Sequence, residues 1–69
     1  MIMITDKQLY AFTQFMGDTI SKDFEKNDLI SQTGCYFGVC PKEAMELVTR
    51  CEDLEYIERT DGGYMIRTT

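Results

Sequence analysis

The pattern of apolar and polar positions in the last third of the chain predicts a helix followed by a β-hairpin. Apolar residues recur at helical spacing over 41–53, and Pro41 suits the first position of a helix, where its missing N–H is not needed. After Asp53 the period changes to two, and the segments LEYIERT and YMIRTT flank the turn DGG. We expect Leu54 and Tyr56 on one face of this hairpin, with Ile57 on the other.

A second helical pattern lies near the start of the chain. Thr5 and Gln8 form a capping box, in which each residue satisfies a backbone N–H of the other. The apolar residues that follow share one narrow arc: Leu9, Phe12, Met16 and Ile20. We expect a helix from Thr5 to about residue 22, preceded at 1–4 by a short strand or an apolar lead-in.

The middle of the chain predicts a short helix and an extended segment. Asn27 suits the N-cap of a helix over 28–33, and Gly34 suits its C-terminal end. The segment CYFGV at 35–39 is aromatic and β-prone, which indicates a strand or an extended connector. Six residues, 35–40, then separate this helix from the next.

Composition indicates one small α+β domain over 1–69. The chain has 43% hydrophobic and 28% charged residues, as in ordinary globular proteins, but its length leaves room for only one small core. No apolar run approaches the roughly 20 residues that span a bilayer, and no basic segment precedes an apolar stretch at the start. We expect a cytoplasmic protein with no membrane partner, as a monomer or homodimer.

The residues that could bind a metal or act as nucleophiles do not predict an enzyme or a cofactor. Cys35, Cys40 and Cys51 are an odd number of thiols without a histidine, so a zinc site would need a carboxylate or another chain as its fourth ligand. Because the chain has no histidine, a cysteine nucleophile would also lack its usual base. We expect Cys51 in the core and the other two beside a connector, where oxidation could join them.

A helix that leads into LEYIER and then TDGGYMI resembles the third helix and the wing of winged-helix proteins. The resemblance covers about residues 41–67. It implies a small winged-helix-like domain with three helices and a C-terminal hairpin, and a third helix that reads DNA. The helix positions that would face the groove are Lys42, Glu43, Glu46, Thr49 and Arg50, with Arg59 and Arg67 at the wing.

The charge of the chain favours a protein partner over DNA. The net charge is -5, and seven carboxylates lie between Glu43 and Asp61, where phosphates would otherwise approach. Our leading hypothesis is a phage or mobile-element protein that inhibits or redirects host machinery, as anti-CRISPR proteins and DNA mimics do. It would bind a basic surface through Glu46, Glu52, Asp53, Glu55 and Glu58.

Two other functions stay open at this stage. One is a DNA-binding transcriptional regulator that uses Lys42, Thr49, Arg50, Arg59 and Arg67. The other is a dimerisation or structural subunit of a larger assembly. It predicts an exposed apolar patch around Tyr10, Phe15, Tyr36 or Phe37.

Overall fold

A computed structural model describes residues 4–67 as three helices and a three-stranded antiparallel sheet. The predicted α+β class, with three helices and a C-terminal hairpin, is confirmed. In chain order the elements are α1 (Asp6–Thr19), β1 (Asp23–Glu25), α2 (Lys26–Phe37), α3 (Pro41–Asp53), β2 (Ile57–Thr60) and β3 (Gly63–Ile66).

The first helix begins where the capping box predicts and ends three residues early. The Thr5 N–H donates to Gln8 Oε1 at 2.8 Å, and the Gln8 N–H donates to Thr5 Oγ1 at 3.2 Å. Thr19 is the last helical residue, and Ile20 is 51% exposed rather than part of the core arc. Four residues after Thr19, the chain enters the sheet at Asp23. The predicted strand or lead-in at 1–4 lies outside the described residues except for Ile4, which is buried.

The sheet has the order β1-β3-β2, so its last strand in sequence is its central strand. Phe24 of β1 and Arg59 of β2 both lie opposite Tyr64, and Ile57 lies opposite Ile66. The prediction of a third strand at 35–39 was wrong, since the third strand is β1. A three-residue strand such as DFE has little propensity of its own and forms because β3 offers it a free edge.

The second helix is longer than predicted at both ends. Asn27 lies inside it, and the N-cap is Glu25, whose side chain makes no capping hydrogen bond. Gly34 is also interior. A Cβ there would lie 3.2 Å from the Val39 carbonyl oxygen, so glycine allows the chain to pack closely after the helix. Gly38 ends the helix in the left-handed region (φ 68°), and only three residues, 38–40, connect α2 to α3.

The hairpin is confirmed, with shorter strands than the sequence indicated. Its turn is the pair 61–62, and β2 begins only at Ile57. Before it the chain turns through Glu55, which has a left-handed φ of 64°. The predicted alternation fails at this point, because Ile57 is buried while Leu54 and Tyr56 are partly buried. Tyr64 and Ile66 share the buried face as predicted.

The core lies between the three helices and one face of the sheet. The third helix is fixed in it by four buried residues at helical spacing. The other buried apolar residues come from the remaining elements and the segment before α1: Ile4, Leu9, Phe12, Met16, Leu29, Ile57, Tyr64 and Ile66. Burial of one face of α3 leaves its opposite face in solvent.

Candidate functional site

The exposed face of α3 carries side chains of both charges. Lys42, Glu46, Thr49 and Asp53 are spaced by three or four residues, so they form one stripe along the helix, and all four are exposed. Met45 lies beside the stripe with 45% of its surface exposed. The opposite, buried face of the helix fixes the orientation of this stripe.

Arg50 is committed to contacts within the fold. Its guanidinium donates to Asp6 Oδ1 at 2.6 Å and to the Ile4 carbonyl oxygen at 3.0 Å. The planar guanidinium can serve both acceptors at once, which favours this arrangement over a single contact on the helix surface. Glu46 lies four residues before Arg50 and four after Lys42, a spacing that allows ion pairs on a helix, but within residues 4–67 it forms neither pair.

Arg59, on the outer strand β2, is paired in the same way. Its guanidinium donates to Glu52 Oε1 at 3.1 Å. The hydrogen bond and the charge of Glu52 raise the pKa of Arg59, with a smaller contribution from Tyr64. The two basic residues within 43–61 are thus both neutralised by carboxylates of this chain.

Several carboxylates of the same region remain without a basic partner. Glu46, Asp53, Glu55 and Glu58 are exposed, and within the described residues none of them forms an ion pair. We call these four residues the acidic surface. Glu52, the fifth predicted protein-binding residue, is partly buried and engaged by Arg59, so the structure separates it from the other four.

Of the five predicted DNA-contacting residues, two are paired with carboxylates and three are exposed. Lys42 and Thr49 are exposed on α3, although the Thr49 hydroxyl donates to the Met45 carbonyl oxygen at 3.0 Å. Arg67 is exposed after β3, and its N–H donates to the Tyr56 carbonyl oxygen at 2.9 Å. With Arg50 and Arg59 both paired, Lys42 is the cation that α3 presents along its exposed stripe.

Sequence reasoning missed the acceptors that hold Arg50. Asp6 is 44 residues away from it in the chain. An acid in the first turn of α1 is also explained by the helix dipole alone. No local signal connects the two positions, so the pairing could be found only in the folded structure.

The thiols differ sharply in their surroundings. Cys51 is buried as predicted, and burial raises its pKa to about 12, so the thiol is neutral. Cys35 and Cys40 are exposed. Within residues 4–67 no three cysteine or acidic side chains are grouped as ligands for a metal ion.

Comparisons with protein-family models, with curated proteins and with solved structures found no match. No helix in the part of the chain that the structure describes combines the length and the apolar character needed to cross a membrane.

Proposed function

We propose that this chain is a non-enzymatic winged-helix protein that binds a basic surface of another protein through the acidic surface. The partner is defined by its chemistry: a groove or face rich in lysine and arginine, such as one that otherwise receives a polyanion. In this proposal the third helix presents carboxylates where a DNA-reading protein presents cations.

The observation that carries the proposal is the pairing of the local cations. Arg50 and Arg59 are held by Asp6 and Glu52, so they do not neutralise the exposed carboxylates around them. Exposed charges of one sign attract an oppositely charged partner over several ångströms and mainly raise the rate of association. The acidic surface therefore supplies both attraction and acceptors for lysine and arginine.

The order of elements supports the winged-helix assignment. The helix α1 and the short strand β1 precede two helices that are joined by three residues. A hairpin follows, and its second strand, β3, also pairs with β1. The connection between α2 and α3 is as short as the turn of a helix-turn-helix, and it contains the glycine that such turns often have. The six residues, 35–40, that the sequence indicated between these helices would have been too many for such a turn, whereas the observed three are not.

Charge neutralisation tests the acidic surface. In the variant, Glu46, Glu55 and Glu58 become glutamine and Asp53 becomes asparagine. A matched control makes the same change of four charges elsewhere, at exposed positions of α1, β1 and α2: Asp18, Asp23, Glu25 and Asp28. A pull-down with the wild type identifies the protein partner, and its affinity for each purified variant is then measured.

We expect the control to bind as the wild type does and the acidic-surface variant to lose most of its binding. Circular dichroism would show that both variants keep the helical content of the wild type. Equal binding by the two variants would refute the assignment of this surface, because the position of the removed charges would then make no difference to the interaction.

The short connection also favours a second candidate, a DNA-binding regulator. Gly38 allows α2 and α3 to meet as in a helix-turn-helix, and Lys42, Thr49 and Arg67 are exposed. The test is anisotropy of labelled random duplex DNA at low ionic strength. Two results together would support this candidate: DNA binding by the wild type weakens steeply with salt, and the variant Lys42→Gln binds DNA more weakly than the wild type while Lys7→Gln does not. Absence of binding at low salt would exclude it.

A further inference from the structure

Two exposed aromatic rings lie side by side on α1 and α2. The ring centroids of Phe15 and Tyr36 are 5.8 Å apart, and the two residues are 45% and 49% exposed. Tyr36 also contacts the buried ring of Phe12 at 4.8 Å and the ring of Phe37 at 4.8 Å. The pair, which we call the aromatic patch, is thus held in place from below while about half of its surface faces solvent.

The surroundings of the aromatic patch are almost uncharged. One helical turn from Phe15, Ala11 and Thr19 are exposed on the same face of α1, and Gln32 is exposed one turn before Tyr36. Asp18, three residues after Phe15, is the one charged residue at these flanking positions. The residues of the acidic surface belong to α3, the hairpin and the turn between them, so they do not overlap with the patch.

We propose that the aromatic patch joins two copies of this chain in a symmetric homodimer. Two molecules that each carry a charge of -5 repel one another, and they meet at least cost through a face with few carboxylates, such as this one, where Asp18 is the one that flanks the patch. In a two-fold interface the same patch is used twice, so Phe15 of each copy meets Tyr36 of the other. Aromatic residues are also the side chains most often central to an interface.

The size of the patch fits a weak dimer. Four half-exposed aromatic rings supply about 400 Å² of surface, since each such side chain buries about 200 Å² when fully covered. This is about a quarter of the roughly 1,600 Å² of a standard interface, and the mostly uncharged residues of α1 and α2 around the patch would supply the rest. We expect dimerisation that depends on concentration in the micromolar to millimolar range.

Sedimentation of the full chain over this concentration range tests the proposal. The variants are Phe15→Ser alone and Phe15→Ser with Tyr36→Ser. Phe15 is half-exposed and contacts Tyr36, so its replacement leaves the buried core intact. The matched control is Met45→Ser, which removes an equally exposed apolar side chain from α3.

We expect the wild type and the Met45 variant to dimerise equally. The Phe15 variant and the double variant should dimerise at least about tenfold more weakly. Added salt should strengthen dimerisation, because it screens the repulsion between like charges, whereas it should weaken binding of a basic partner. A wild type that stays monomeric, or a double variant that dimerises as well as wild type, would overturn the proposal. The double variant keeps the acidic surface, so its capture of a basic partner reports on that function separately.

Discussion

Gly63 is the position where the sheet leaves no space for a side chain. A Cβ atom built on this residue would lie 2.1 Å from the Phe24 carbonyl oxygen and 2.8 Å from Glu25 Cα. Both atoms belong to the backbone of β1, which pairs with β3 at this point. The substitution Gly63→Ala therefore requires β1 to move by more than 1 Å before the contact reaches an ordinary distance of 3.4 Å.

The cost of that movement is large for a domain of this size. Overpacking that side chains can absorb costs about 1–3 kcal/mol, and a clash with backbone belongs at or above the upper end of that range. A core in a chain this short supplies about 3–5 kcal/mol of stability. We expect Gly63→Ala to remove about 3 kcal/mol of the free energy of unfolding, which corresponds to a fall in Tm of about 12 °C or more.

Thermal and urea unfolding followed by circular dichroism measure this loss, and Gly62→Ala is the matched control. Gly62 is the neighbouring turn residue, with no atom within 4 Å of a Cβ. We expect its substitution to change stability by less than about 0.5 kcal/mol. If the two variants were equally stable, the register that places Gly63 opposite Glu25 would be wrong.

Three further predictions concern the thiols and Arg50. In the native protein an aromatic disulfide reagent should titrate Cys35 and Cys40 rapidly, and Cys51 only after denaturant is added. Because burial raises the pKa of Cys51 from 9.0 to about 12, the stability from its neutral thiol is complete below pH 9 and is lost above it. Between pH 9 and about pH 12, the stability of the wild type should fall by about 1.4 kcal/mol per pH unit relative to that of the variant Cys51→Ala. An equal dependence of stability on pH in the two proteins would contradict the burial of this thiol. Arg50→Met should cost about 1–2 kcal/mol in urea unfolding and Asp6→Asn less than about 1 kcal/mol, because the second change keeps the bond to the backbone carbonyl. A larger loss of stability for Asp6→Asn than for Arg50→Met would contradict this explanation.

Elements with strong local signals were predicted well. The capping box of Thr5 and Gln8 starts α1 as expected, because both of its hydrogen bonds lie within one turn. Pro41 starts α3 at its first position, and the buried residues of this helix follow the predicted spacing. The change from a helical to a strand period also located the hairpin, although its first strand begins later than the apolar residues indicated.

Elements that depend on distant partners were not predictable. Tyr36 and Phe37 have β propensity, yet they are helical because their rings pack against Phe12 of α1. Gly34 looked like a helix end but is an interior residue that permits close packing near Val39. The candidate site shows the same limit, since the exposure of its carboxylates was predictable and the pairing of Arg50 was not.

The position of β3 in the sheet has a consequence for synthesis of the protein. Both β1 and β2 pair with β3, so neither strand has a partner in a nascent chain until residues 63–66 have emerged. The three helices precede this step and can begin to pack on one another earlier. A polypeptide interrupted before Gly63 would lose the whole sheet rather than one strand, and its apolar helix faces would stay open to proteases and chaperones.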